Sequence, residues 1–164
     1  MQKYLVGYVS KNGTTKEIAQ KIGSILKENN FDTDILSLEE IKNIDQYSGI
    51  ILGTPVYGMK LLPEFSVFVE ENKNIKNITG FFVVSYLFEV GRKMWKNAIQ
   101  KDIDRFKSIL IPQSTAIFAG GISKKMPGFA NFLFGLPKGL PLDNRNWKQI
   151  EEWANEIINK IKSK

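Results

Sequence analysis

The sequence predicts an α/β protein: a five-stranded parallel sheet of strand order 2-1-3-4-5, helices on both faces in a three-layer sandwich, and a long insert after the last strand. Three observations carry that expectation. Short apolar runs alternate with amphipathic stretches along all 164 residues. Two of these runs, residues 49–53 and 80–86, are almost continuously apolar, as strands covered on both faces must be. The first run, residues 4–9, passes directly into Ser10-Lys11-Asn12-Gly13-Thr14-Thr15, a polar turn that opens a helix.

Ile18, Ala19, Ile22, Ile25 and Leu26 recur at helical spacing, and the helix they define ends near Asn29 and Asn30. Residues 31–38 alternate polar and apolar, with Asp32 and Asp34 among them, which marks a wetter edge strand. Residues 39–47 read as a short helix or turn. The strand at 49–53 ends in a loop, Thr54-Pro55-Val56-Tyr57-Gly58. Pro63 suits the first turn of the next helix, with Phe65, Phe68 and Val69 facing inward. The strand at 80–86 leads into a loop over residues 87–93. Trp95, Ala98, Ile99, Ile103 and Phe106 mark a helix, and residues 115–119 the last strand, closed by Gly120 and Gly121. Trp147, Ile150, Ala154, Ile157, Ile158 and Ile161 define a long closing helix. No repeat or low-complexity stretch interrupts this order, so residues 1–164 read as one domain.

Composition removes several chemistries. There is no cysteine, which excludes thiol catalysis, disulfides and an iron–sulfur cluster. There is no histidine, which excludes a Ser–His–Asp triad and a His-ligated metal, and no metal site is expected. If such a chain does redox chemistry, a cofactor must supply it. The net charge of +6 and a pI of about 9.4 point to an anionic partner, or simply to a lysine-rich proteome. The basic residues are scattered, so nucleic acid is not expected. The apolar run after Lys3 is too short for a signal peptide, and nothing approaches a membrane span, so the expected location is cytoplasmic.

The turn at residues 10–15 joins the end of a strand to the start of a helix. Unpaired amides and the helix dipole meet there and favour an anion. Ser10, Thr14 and Thr15 add hydroxyl donors, and Gly13 permits a tight turn. An ordinary N-cap and turn is the plainer alternative. A nucleoside-triphosphate loop needs Lys and then Ser or Thr after its last glycine, whereas Gly13 precedes Thr14 and Thr15. A dinucleotide turn needs three glycines, and this one has one. Hydroxyl-rich and glycine-poor, the turn resembles the phosphate loop of flavodoxins, which holds the terminal phosphate of FMN with hydroxyls and amides. Flavodoxins usually carry Thr or Ser at the position of Asn12, whose amide also donates.

In a 2-1-3-4-5 sheet the ligand sits at the C-terminal edge, where the loops at 10–15, 54–60 and 86–93 converge. The resemblance then implies an FMN site made by Ser10, Lys11, Asn12, Gly13, Thr14 and Thr15, by Thr54, Pro55, Val56, Tyr57 and Gly58, and by Ser85, Tyr86 and Leu87. Tyr57 and Tyr86 would wall the flavin ring. Either tyrosine also makes sense as a half-buried loop anchor.

Residues 122–144 are far longer than a strand-to-helix link requires. Phe129, Phe132, Leu133, Phe134 and Leu136 cannot all face water cheaply, so the insert either packs on its own domain or offers an apolar patch. Lys124, Lys125 and Lys138 make that patch amphipathic, fit for a large apolar anion or a lipid surface. The run Gly53-Thr54-Pro55-Val56-Tyr57-Gly58, then Phe118-Ala119-Gly120-Gly121, the aromatic insert and the helix from Trp147 resemble the menaquinone-dependent protoporphyrinogen IX dehydrogenase family. That resemblance implies a flavodoxin-like fold, FMN, oxidation of a porphyrinogen, electrons passed to a membrane quinone, and contact of the insert with the inner face of the membrane. Substrate propionates would meet Arg92, Lys124 or Lys125, with Phe129 and Phe132 against the macrocycle. The flavin carries the chemistry: no catalytic side chain is singled out, and Glu89 is the only acid near the predicted flavin loops. Two other readings stay open. One is a soluble flavodoxin-type carrier working with a redox partner protein. The other is a module without flavin that binds a membrane or a partner. Positive charge favours the anionic reduced flavin, so the low-potential couple is expected to be less negative than in an acidic carrier.

Overall fold

In the computed structural model, residues 2–122, 127–137, 139 and 142–163 are described. The strands are β1 (Lys3–Tyr8), β2 (Asp32–Ser37), β3 (Gly49–Tyr57), β4 (Lys60–Leu61), β5 (Ile78–Val84) and β6 (Ser114–Phe118). The helices are α1 (Thr14–Glu28), α2 (Pro63–Glu71), α3 (Leu87–Val90), α4 (Lys93–Leu110), α5 (Gly128–Phe134) and α6 (Trp147–Lys162), with a 3-10 turn at Leu38–Glu40. The sheet runs β2-β1-β3-β5-β6, every neighbour parallel, and β4 folds back antiparallel on β3. Leaving β4 aside, this is the predicted 2-1-3-4-5 order.

Alternation within β1 assigns the two faces. Tyr4, Val6 and Tyr8 pack with Ile18, Ile22 and Leu26 of α1 and with Ile150, Trp153 and Ile157 of α6. Leu5 joins the opposite core, with Phe65 of α2 and Ile99, Ile103 and Phe106 of α4. Helices therefore cover both faces, which is why the central strands read as continuous apolar runs.

The structure corrects two expectations at the edge that matters. β3 does not stop at Gly53 but continues through Tyr57. Thr54 and Pro55, expected in a loop, pair with Val83 and Val84 of β5. A proline is tolerated there because β1, which pairs β3 on the other side, has reached only Tyr8, opposite Gly53. The strand then turns through Gly58 and Met59 into β4. The second correction is that residues 87–93 are not an open loop: α3 fills most of them.

Gly53 shows how tightly the sheet meets its helices. A Cβ there would lie 2.0 Å from Cζ of Phe82. Phe82 is fully buried and has Phe118 at 5.9 Å and Trp153 at 6.0 Å between ring centroids, so it cannot withdraw. Gly53→Ala should cost about 2 kcal/mol by overpacking, a fall in Tm of roughly 4–8 °C. A melting curve within a degree of wild type would show that the ring has room the structure denies it.

Candidate functional site

At the C-terminal edge the chain leaves β1 at Val9, whose amide donates to Gly53 O at 3.0 Å. The polar turn follows. Gly13 takes a left-handed conformation, φ +84°, and caps α1 without any side-chain hydrogen bond. Among the described residues no side chain caps the first amides of this fifteen-residue helix, so its positive end is open to an anion. Ser10 Oγ is buried and has no hydrogen-bond partner among the described residues. A buried hydroxyl without a partner costs about 1–3 kcal/mol, which a ligand oxygen would recover.

A cleft of about 260 Å³ lies over this turn. Ser10, Lys11, Asn12, Thr14 and Thr15 line it from α1's side, Pro55, Val56, Tyr57, Gly58 and Met59 from the β3–β4 hairpin, and Val84, Ser85, Tyr86 and Leu87 from the end of β5. Gly120, Gly121, Ile122 and Phe134 close it. The structure thus brings together twelve of the fourteen residues expected at the cofactor, Gly13 and Thr54 being absent from the lining. Thr54 is fully buried, and its hydroxyl donates to Pro55 O at 3.3 Å. Ser85 is buried and spends its Oγ accepting from Phe88 N at 3.1 Å, which starts α3. Burial raises the pKa of the Tyr86 phenol. Lys11 is the one charged residue among the described lining residues, and its Nζ sits 3.8 Å from the centroid of the Tyr57 ring.

Sequence reasoning missed the fourth wall. Gly120 could have been suspected as a strand end, but the insert's return limb fixes its position. Ile122 N donates to Leu142 O at 2.8 Å, Asn144 N donates to Gly120 O at 3.2 Å, and Gly121 bridges Asp143. Arg145 then clamps this limb to α1. Its Nε donates to Asp143 Oδ1 at 2.9 Å, its Nη1 to Glu17 Oε2, and its guanidinium lies 4.7 Å from the Trp147 ring. No local pattern in the sequence announces that clamp.

The insert does both things its composition allowed. Phe134 packs edge-on against Trp95 at 5.5 Å, while Phe129, Phe132 and Leu133 are exposed by 76%, 79% and 53%. Arg92, expected to meet a substrate carboxylate, is turned to α5 instead. Its Nη2 donates to Phe132 O at 2.8 Å, its amide donates to Phe134 O at 2.9 Å, and its guanidinium lies 5.6 Å from the Phe132 ring. Arg92, Phe129 and Phe132 do not line the cleft, and Lys124, Lys125 and Lys138 fall outside the described residues. Glu89 is exposed on α3 and also lies away from the lining.

A doubly wound sheet with an uncapped helix end and a hydroxyl-rich turn beside its switch point defines a mononucleotide-binding α/β protein. The chain belongs to the flavodoxin domain family, whose model matches residues 5–131. No curated protein matches the sequence significantly. Among solved structures it is similar to a flavodoxin of Streptococcus pneumoniae, with 17% identity, 98% of this chain and 99% of that one covered, and a TM-score of 0.64. It is similar to a Fusobacterium nucleatum flavodoxin bound to flavin mononucleotide, with 19% identity, 98% and 99% covered, and a TM-score of 0.62. It also resembles part of the rubredoxin oxygen:oxidoreductase of Desulfovibrio gigas, with 14% identity, 99% of this chain against 37% of that one, and a TM-score of 0.62. The family implies FMN, and the residues present fit its phosphate: an orphaned hydroxyl, an open helix end and a left-handed glycine converge on one turn.

The clamp at Arg145 carries a pH dependence. The Arg145 hydrogen bond holds the Asp143 carboxyl below its ordinary value near 3.8, against a smaller opposing effect of burial. A lowered folded pKa means that the stabilisation is complete above the unfolded value and is lost as pH falls through the folded one. Acidification below about pH 4 should therefore release the return limb before the sheet unfolds, seen as a change in Trp147 fluorescence. Asp143→Asn should abolish that early transition. A transition unchanged in the variant would place its origin elsewhere.

Proposed function

We propose that this protein moves electrons through an FMN seated at the C-terminal edge of its sheet. FMN is the cofactor, and its isoalloxazine supplies the electron chemistry that these side chains lack. The observation that carries the reading is the unpartnered Ser10 hydroxyl beside the uncapped start of α1. Ser10, Asn12, Thr14, Thr15 and the first amides of α1 would hold the phosphate. Tyr57 and Tyr86 would flank the ring. Lys11 adds the only charge among the described lining residues, and a positive charge lining the site favours a reduced, anionic ring.

Two uses of the reduced flavin fit this site. One is a carrier that hands electrons to a redox partner protein. The other is oxidation of an apolar anionic substrate such as protoporphyrinogen IX, with electrons passed on to a quinone and the insert resting on the inner face of a membrane. The exposed Phe129, Phe132 and Leu133 favour the second, since α5 also supplies Phe134 to the cleft. Arg92 lies beside α5 with one guanidinium donor on Phe132 O, away from the cleft lining, and Lys11 is the charged residue that lines it. Among the described residues no helix is long and apolar enough to cross a membrane, so any lipid contact would be peripheral.

Ser10→Ala separates the cofactor reading from a plain structural turn. It should weaken FMN binding by about ten- to a hundredfold, leave riboflavin binding unchanged, and leave the protein without FMN as stable as before or more so. Loss of stability with no change in FMN affinity would defeat the reading. The two uses are separated by mixing FMN-loaded protein anaerobically with protoporphyrinogen IX and following the visible flavin band. Bleaching within seconds supports the dehydrogenase, and a band that persists leaves the carrier.

A further inference from the structure

The geometry points to Asp102 as a positioning residue for the flavin, acting through the turn between β3 and β4. This inference rests on the FMN reading for its consequence, though not for its geometry. Tyr57, Gly58 and Met59 form the hairpin side of the cleft. They are presented by a turn whose two central residues, Gly58 at φ 59° and Met59 at φ 67°, are both left-handed. That is the requirement of the two-residue hairpin turn whose twist matches the strands. Glycine meets it freely, whereas methionine does so at a cost of about 1–2 kcal/mol.

The hairpin has little of its own to offset that cost. β4 is two residues long and pairs with β3 only at Val56–Leu61 and Tyr57–Lys60. Two-stranded hairpins are marginal in isolation. Outside support comes from the core, where Leu61 is buried and Val56 and Met59 pack partly, and from α4, where Asp102 Oδ2 accepts from Leu61 N at 2.9 Å. Its other oxygen lies 3.3 Å from Nε of the more exposed Arg105, one turn further along α4. The Asp102 side chain is only 15% exposed, and Leu61 beside it is buried. A charge-assisted bond in that setting is stronger than the neutral ladder bonds it supplements. Asp102 touches no lining residue in this way; it holds the strand that returns from them.

The consequence is one of populations. A ligand that needs the turn in one conformation binds with its intrinsic affinity divided among the conformers present. If Asp102 keeps the turn closed, removing it lowers the competent fraction and weakens FMN without altering any group that touches it.

The test is a cycle of four proteins (wild type, D102A, M59N and D102A/M59N), with D102N as the conservative control. Asparagine at 59 accepts the left-handed conformation, so it relieves the strain that Asp102 is argued to offset. Two quantities are read: exchange of the Leu61 amide in protein without FMN, and the FMN dissociation constant by flavin fluorescence. D102A should speed Leu61 exchange and weaken FMN about tenfold, while D102N, which keeps an accepting oxygen, retains most of both. In the M59N background the same removal should cost markedly less. Equal costs in both backgrounds, or unchanged FMN affinity despite a freed Leu61 amide, would overturn the proposal. Wild-type protein that takes up no FMN while D102A still frees Leu61 would instead overturn the cofactor reading and leave the anchor in place.

Discussion

The whole arrangement depends on β1 being paired in parallel on both sides, with β2 at one edge and β3 at the other. A strand so placed has no hairpin route to either neighbour. Each connection must cross a face of the sheet, and right-handed crossovers running in opposite directions put their helices on opposite faces: α1 on the way from β1 to β2, α2 on the way from β3 to β5. Once α1 and α2 are fixed in this way, the chain reversals at the C-terminal ends of β1 and β3 fall side by side. The cleft is a consequence of that divergence, and its phosphate end is the start of α1 because nothing else arrives there first. The fully buried Leu5 and Val6 of β1, and Ile50 to Leu52 of β3, are the energetic reason the pairing is unique. A slip of one residue would exchange the two cores.

The same topology decides what can be read from the residues alone. The central strands are covered on both faces, so their apolar runs announce them without help from distant parts of the chain. The phosphate turn is equally local: strand, turn and helix start lie within twelve residues, Tyr4 to Thr15, and its chemistry is carried by side chains in that stretch. The hairpin was hidden because Thr54-Pro55, turn-forming residues, are used in an extended strand, and the true turn comes later, at Gly58 and Met59. What keeps them extended is β5 alongside, a tertiary partner that no window on the sequence contains. The fourth wall was hidden for a stronger reason. Gly120, Gly121 and Ile122 are held by Asn144, Asp143 and Leu142, and these by Arg145 against Glu17. The pairings across this wall join residues twenty or more apart in the chain, and the ion pair to Glu17 far more, so periodicity and turn chemistry carry no trace of them.

The insert occupies a middle position between structure and function. Its helix α5 is fastened by one of the groups expected to serve a substrate: Arg92 donates its Nη2 to Phe132 O and its backbone amide to Phe134 O. Gly135 permits this, since a side chain there would strike the Arg92 stem at 2.5 Å. The cost of ordering α5 is met by Trp95 and Phe134, yet Phe129, Phe132 and Leu133 are left in water. Scattered exposed apolar residues need no explanation, but three on one seven-residue helix that also borders the cleft form a contiguous patch.

Charge separates this cleft from the rest of the surface. The chain carries 17 acidic residues, and none is among the described residues that line the site. Glu17, the acid closest in sequence to the phosphate turn, is held by Arg145 on the far side of the clamp. Two independent features therefore keep negative charge away from a bound flavin: the composition of the lining, and an arginine that engages the one carboxylate on α1's first turn. Lys11, resting on the Tyr57 ring, contributes in the same direction from the mouth. A site built this way lowers the free energy of an anionic ring relative to a neutral one, because Coulomb energies over a few ångströms in a partly buried cleft exceed those in water several-fold. The field around a bound flavin is therefore set in part by where the insert returns and which carboxylate it engages on the way.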